Sequence, residues 1–133
     1  MPQEYKAQGD DFEIYFTWFG DYLLARVEGL TDSLGTTVAY WSMVAAECRR
    51  RGAKRLLVVE NLKGEIGEVP AEEIFQKLIV LGFEGIKIAF VDRSETRWSV
   101  QEQVSLMARE HGITGRVFTQ ERDAVTWLRH GID

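Results

Sequence analysis

Residues Arg55 to Glu60 read RLLVVE, and a loop from Asn61 to Pro70 follows them. Leu56 to Val59 is an unbroken apolar run, so the strand that it predicts has no polar face. Such a strand must be covered on both sides, which is typical of a central strand in a parallel sheet flanked by helices. We therefore expect the other elements to be arranged around this strand.

The composition indicates one acidic domain. The chain has 133 residues, of which 45% are hydrophobic, and a formal net charge of −5. This is enough apolar material for one core, and the length is too short for two ordinary domains. An acidic molecule repels phosphate backbones and anionic membrane surfaces, so nucleic acid is not an expected partner.

The cellular location is predicted from the N-terminus and from cysteine usage. The first residues contain no apolar signal-peptide core, and no run approaches about 18 apolar residues. The single cysteine, Cys48, has no internal disulfide partner, which fits a reducing compartment. We therefore expect a cytoplasmic protein that is neither exported nor inserted in a membrane.

The N-terminal part predicts a tail and a β-hairpin. Residues 1 to 10 are polar and are expected to be a flexible tail before a domain over residues 11–133. Phe12 to Glu28 is predicted to be a hairpin about Gly20-Asp21. Pairing Phe19 with Tyr22 places the apolar residues of both arms on one side, namely Ile14, Phe16, Trp18, Leu23, Ala25 and Val27.

Apolar spacing and capping residues predict about four helices. The first is capped by Thr31 or Asp32 and ends at Gly52, behind three arginines that favour the negative end of the helix dipole. The others are predicted from Pro70 to Leu81, from a capping box of Ser99 and Glu102 to His111, and from Thr119 onward.

Two further strands, Ile86 to Asp92 and Arg116 to Phe118, alternate with these helices. The predicted order is ββαβαβαβα. It implies an α/β fold with a mixed, mostly parallel five-stranded sheet, an N-terminal antiparallel hairpin and right-handed crossovers.

The arrangement of these segments resembles a known superfamily. A hairpin closing with EGLT before a long helix, then GAKRLLVVE, IKIAFVD and VFTQERDAVTWL, is similar to the STAS superfamily, in particular its bacterial SpoIIAA-like (STAS/SEC14-type) branch, over residues 12 to 130. The resemblance implies a single STAS-like domain that acts as a non-catalytic regulatory or protein-interaction module. The alternative that it implies is a carrier or sensor of small amphipathic or nucleotide-like ligands.

The loop after the central strand departs from the pattern of the superfamily. STAS members that act as anti-anti-sigma factors carry a phosphorylatable serine in the loop corresponding to Asn61 to Pro70. Here that loop reads NLKGEIGEVP, without serine or threonine. We therefore expect the serine switch to be missing.

Nucleophilic catalysis is not predicted. His111 and His130 each precede a glycine at a helix end, where an imidazolium ion favours the helix dipole. Cys48 lies on an apolar stripe and is expected to be packed. No histidine is thus placed to act as a base for a serine or a cysteine.

Phosphate and metal sites are also not predicted. Gly64 and Gly67 lie beside Glu65 and Glu68, which oppose a phosphate, and no P-loop lysine follows. Glu60 and Asp92 close central strands and could share Mg²⁺, but no lysine ends a later strand as in receiver domains. The favoured interpretation is solvated carboxylates, with no cofactor, no metal and no enzyme activity.

Binding is predicted at the carboxyl edge of the sheet, where ligands of open α/β folds are held. Arg93, Arg97 and Trp98 could hold an acidic peptide or an anionic headgroup, or Trp98 covers the start of its helix. The exposed candidates for partner or ligand binding are Leu62, Lys63, Glu65, Arg93, Arg97 and Trp98.

A second candidate surface is a stripe along the first helix, made of Thr36, Tyr40, Met43 and Glu47. An exposed Tyr-Met pair is typical of a contact surface, so the stripe predicts a weak homodimer. The alternative is that these two residues pack under a neighbouring loop.

Overall fold

The computed structural model describes residues 3–30, 33–62, 71–92 and 95–131, without the side chains of residues 95–98 and 101. Over these residues the chain forms a six-stranded mixed sheet and four helices. The strands are β1 Gln3–Gln8, β2 Phe12–Trp18, β3 Leu23–Gly29, β4 Arg55–Leu62, β5 Lys87–Val91 and β6 Thr114–Phe118. The helices are α1 Leu34–Arg51, α2 Ala71–Leu81, α3 Glu95–Arg109 and α4 Glu121–His130. The predicted α/β class is confirmed.

The predicted hairpin has the expected register. The Phe19 N–H donates to the Tyr22 carbonyl at 3.1 Å, and β2 pairs antiparallel with β3 so that Phe16 lies opposite Ala25. The apolar residues of both arms therefore share one face, and those at the centre of the hairpin are completely buried.

The N-terminal residues form a strand, so the predicted flexible tail is wrong for residues 3–8. Strand β1 pairs antiparallel with β2, with Gln3 opposite Trp18 and Gln8 opposite Glu13. Only Ala7 of this strand is buried. An edge strand that buries one side chain does not need a run of apolar residues. The polar sequence of β1 therefore gives no sign of a strand. The sheet consequently has one strand more than the predicted five.

The sheet runs in chain order, β1-β2-β3-β4-β5-β6, and is parallel from β3 onward. Helices α1, α2 and α3 connect successive neighbouring strands and lie on one face of the sheet, where the larger core lies, as crossovers of a single hand require. Helix α4 packs on the other face over β4 and β5, where its Trp127 and Leu128 join a smaller core. The RLLVVE strand lies between both cores, as its unbroken apolar run predicts.

The helix ends differ from the predictions in part. Gly52 caps α1 with φ 64°, as predicted. The N-cap of α1 is Ser33, and Thr31 and Asp32 lie outside the described residues. The predicted capping box at Ser99 is wrong because α3 already begins at Glu95, which places Ser99 inside the helix.

The last helix also differs from its prediction. Its N-cap is Gln120 rather than Thr119, and its Trp127 is buried. The ammonium group of Lys87 lies 4.4 Å from the centre of the Trp127 ring. The same group donates to the Trp127 and Gly131 carbonyls at 2.7 and 2.8 Å. Lys87 therefore makes a cation–π contact with the indole ring and also interacts favourably with the negative end of the α4 dipole.

None of the helices in the described ranges is both long and apolar enough to cross a bilayer.

Candidate functional site

Two acidic side chains lie buried at the carboxyl edge of the sheet. Val59 is paired with Val91, so Glu60 and Asp92 follow at equivalent places on neighbouring strands. Their exposed fractions are 4% and 2%, so the predicted solvated carboxylates are wrong. Strand β4 continues to Leu62. Because alternate residues of a strand face the same side, Glu60 faces the α1 side of the sheet together with Leu62.

Tyr40 is the partner of one of these acids. Its hydroxyl donates a hydrogen bond to Glu60 Oε2. Its ring is completely buried and contacts those of Phe12 and Trp41, with ring centres 6.4 and 5.5 Å apart. A carboxylate in the interior requires such donors, because removal from water without compensation is costly. The Tyr40–Glu60 contact thus joins α1 to the end of the central strand.

The predicted exposed stripe on α1 is therefore wrong. Thr36, Tyr40 and Glu47 are buried, and Met43 is half-buried against the larger core. Helix α1 crosses several strands, so its buried face is broader than a narrow apolar stripe and extends over polar residues. Leu34 and Val38 are half-buried and lie at the margin of this face.

Glu47 is held by two arginines. Its carboxylate accepts hydrogen bonds from Arg50 at 2.8 and 3.0 Å and from Arg51 at 3.2 Å. Burial is the largest influence and raises the pKa of Glu47, but the two guanidinium groups together outweigh it and hold the pKa below its usual value. Two of the arginines predicted to be only helix-capping charges therefore pair with a buried acid.

The predicted loop site is described only in part. Leu62, predicted to be exposed, is 2% exposed because it still belongs to β4 and pairs with Gly29. Lys63, Glu65 and Arg93 lie outside the described residues, as do the side chains of Arg97 and Trp98, whose backbone belongs to α3. Their proposed role in binding stays a prediction.

A groove that the sequence analysis missed lies between α1 and α2. Its volume is about 620 Å³, and its lining is Leu34, Val38, Glu72, Glu73, Gln76, Lys77 and Val80. Val80 is 77% exposed. The sequence feature that could have predicted this groove is the run Leu78 to Leu81. Four adjacent apolar residues in a helix cannot all face the core, so at least one must be exposed.

An ion pair lies at the carboxyl edge on the other face of the sheet, which α4 covers. The Arg26 guanidinium donates to both Glu121 carboxylate oxygens, at 2.9 and 3.2 Å, and this hydrogen bonding raises the pKa of Arg26. With Asn61 these residues line a polar cavity of about 110 Å³. The pair fastens the start of α4 to β3 and leaves space for a few water molecules.

Cys48 and His111 lie where the sequence predicts them. Cys48 is buried, and burial raises the pKa of its thiol to about 12, so a thiolate is not formed at neutral pH. His111 follows the C-terminal end of α3, and its Nδ1 is 3.3 Å from the Met107 carbonyl oxygen. The centres of the His111 and Phe75 rings are 4.9 Å apart. In the described part of the chain, no group of three or more histidine, cysteine or acidic residues could hold a metal ion.

A scan against protein-family models gives no match for this chain, and a search of the curated proteins finds no similar sequence. The similarity to the STAS superfamily therefore stays a prediction from the sequence.

Proposed function

We propose that the protein is a non-catalytic interaction module of the STAS type and that it binds a protein partner in the α1–α2 groove. The observation that carries the proposal is the groove itself. Leu34, Val38 and the exposed Val80 line it, and Glu72 and Glu73 stand at the end where α2 begins. Exposed apolar surface bordered by charges is typical of contact sites for other proteins.

The chemistry of the groove specifies the kind of partner. An amphipathic helix or an extended segment would place apolar side chains against Val38 and Val80. Basic side chains of that segment would meet Glu72 and Glu73, and the net charge of −5 would favour their approach. We propose a partner with a basic, amphipathic segment.

The groove does not replace the site predicted from the sequence. Helix α2 follows residues 63–70 in the chain, and these contain Lys63 and Glu65. We keep Lys63, Glu65, Arg93, Arg97 and Trp98 as candidate binding residues beside those of the groove. A cytoplasmic location, based on the single cysteine, belongs to the same proposal.

Affinity capture with matched variants tests the proposal. Val80→Asp and the double variant Glu72→Lys, Glu73→Lys alter the groove, whereas Leu106→Asp alters another exposed aliphatic residue, on α3. We expect the native chain and Leu106→Asp to capture the same stoichiometric partner and both groove variants to lose it. Equal capture by all four proteins would place the site elsewhere.

A second function, the carrying or sensing of a small amphipathic ligand, is favoured by one observation. The groove volume of about 620 Å³ falls within the range of about 300–1,000 Å³ that small-molecule sites occupy. Native mass spectrometry of the purified protein tests this alternative. A bound mass that is released on denaturation, and is missing from Val80→Asp, would favour the carrier over the module.

A further inference from the structure

Strand β1 forms one edge of the sheet. Its backbone N–H and C=O groups point alternately toward β2 and away from the sheet. Within the described residues its strand neighbour is β2. The Gly9 N–H donates to the Phe12 carbonyl at 2.9 Å, which makes Tyr5 and Ala7, two and four residues before it, members of the hydrogen-bonded pairs with β2. The backbone N–H and C=O groups of the residues between them, Glu4, Lys6 and Gln8, therefore point away from the sheet.

These outward groups restrict how a second copy of β1 can pair with the first. In an antiparallel pair, an outward residue of one strand must lie opposite an outward residue of the other. The central registers then place Glu4 opposite Glu4, Lys6 opposite Lys6, or Glu4 opposite Lys6. Only the last register brings opposite charges together, and by symmetry it does so twice.

The favoured register also covers an exposed aromatic ring. It places Tyr5 opposite its own copy, on the two-fold axis and in a non-hydrogen-bonded pair, where side chains approach most closely. Tyr5 is 49% exposed. It stacks on Phe16 at 5.9 Å and lies 5.7 Å from the Arg50 guanidinium. Phe16 and Arg50 thus fix the orientation of the ring at the sheet edge, and Tyr5 of the second copy would reduce its exposure to solvent.

We propose that two copies of this protein associate through β1, so that their sheets join into one continuous sheet. The contact consists of backbone hydrogen bonds between Glu4 and Lys6 of the two copies, the two charge pairs and the Tyr5 pair. Lysine at a sheet edge ordinarily discourages pairing. Here the alternation of one acid and one base makes the edge complementary to itself. This contact does not involve the α1–α2 groove and does not depend on the proposed function.

Two charge variants test the register directly. Glu4→Lys and Lys6→Glu each place like charges opposite each other in the homodimer, so we expect self-association to weaken at least about tenfold in each. Mixed in equal amounts, the two variants regain opposite charges at both pairs, and we expect a heterodimer of native affinity. Sedimentation velocity over a range of concentrations, with one variant fluorescently labelled, measures all four cases.

Several results would overturn the proposal. They are a native chain that stays monomeric at the highest concentration, single variants that dimerise like the native chain, or a mixture that does not associate. Lys6→Glu also removes the ion pair with Glu13, whose atoms are 3.4 Å apart. Because the same variant must associate in the mixture, a loss caused by unfolding of β1 is distinguished from a loss caused by charge. Thermal melting of each variant alone provides the control.

Discussion

At the scale of single residues, the contact between Tyr40 and Glu60 connects the first helix to the end of the central strand. Tyr40→Phe removes one donor from a buried carboxylate and leaves the packing of the ring unchanged. We expect the free energy of unfolding to fall by about 1–3 kcal/mol, the cost of a buried polar group that loses a partner. Chemical denaturation measures it.

The matched control for this variant is Tyr22→Phe. Tyr22 is also buried, but it precedes β3 at the opposite edge of the sheet and stacks on Phe19 at 4.8 Å. A loss below about 1 kcal/mol is expected there. Equal losses in both variants would show that the hydroxyl of Tyr40 has no special role in holding Glu60.

Glu47 makes stability depend on pH. Its pKa is lower in the folded chain than the ordinary value of 4.5, so the unfolded chain takes up a proton first as the pH falls. The contribution of Glu47 is therefore complete above about pH 5 and is lost as the pH falls through the lowered folded value. Glu47→Gln should cost about 1–2 kcal/mol at pH 7, a modest figure because Arg50 is largely exposed.

The difference between native chain and Glu47→Gln should shrink as the pH is lowered from 6 to 3. Urea denaturation at each pH measures it, with Glu84→Gln, an exposed glutamate, as the control. A difference that is constant across this range would contradict the account, because it would assign the loss to packing and not to charge.

At this scale, sequence predicts single apolar residues better than polar ones. The burial of Cys48 follows from helical spacing alone. The burial of Glu60 and Leu62 depends on how far β4 continues, and the apolar run stops before that point. Tyr40 is buried because the buried face of α1 is broader than its apolar stripe, and the breadth of that face is set by contacts with the distant strands β2 and β3.

At the scale of elements, the two ends of α1 can be tested with one glycine each. Gly52 has φ 64° and open space around the position of a Cβ atom, so Gly52→Ala measures backbone conformation alone. We expect a loss of about 1 kcal/mol.

The contrasting variant is Gly35→Ala. Gly35 lies in the first turn of α1, where an added Cβ would meet Ser33 Oγ at an ordinary 3.8 Å and no other atom of the described residues. Alanine should therefore stabilise the protein by up to about 1 kcal/mol. Differential scanning calorimetry of both variants gives the two changes, and shifts of the melting temperature in the same direction would contradict this description of the helix.

Local patterns predict the elements where their signal is self-contained. The β2–β3 hairpin has its turn and its alternation in one short segment, and its register is confirmed. Strand β1 has no such signal because its pairing with β2 supplies the stability that its own side chains lack. The start of α3 was placed a turn late because the capping box at Ser99 and Glu102 is a pattern that also occurs within helices.

At the scale of the whole molecule, the sheet order separates two surfaces. Sequential crossovers stack α1 and α2 side by side and form the groove on one face. The N-terminal strands extend the sheet beyond the helices and end in the β1 edge. The first surface is proposed for a protein partner and the second for another copy, so one chain would serve both contacts at once. The class of fold is predictable from sequence, but the groove requires knowledge of how two helices pack.

The measurement that tests the central proposal most directly is a map of amide chemical shifts in the ¹⁵N-labelled protein, titrated with the partner obtained by affinity capture. We expect the largest changes at Leu34, Val38, Gln76 and Val80, and we expect Val80→Asp to abolish them while Leu106→Asp leaves them intact. Changes confined to α4 and the exposed face of β2, with none along α1 and α2, would contradict it.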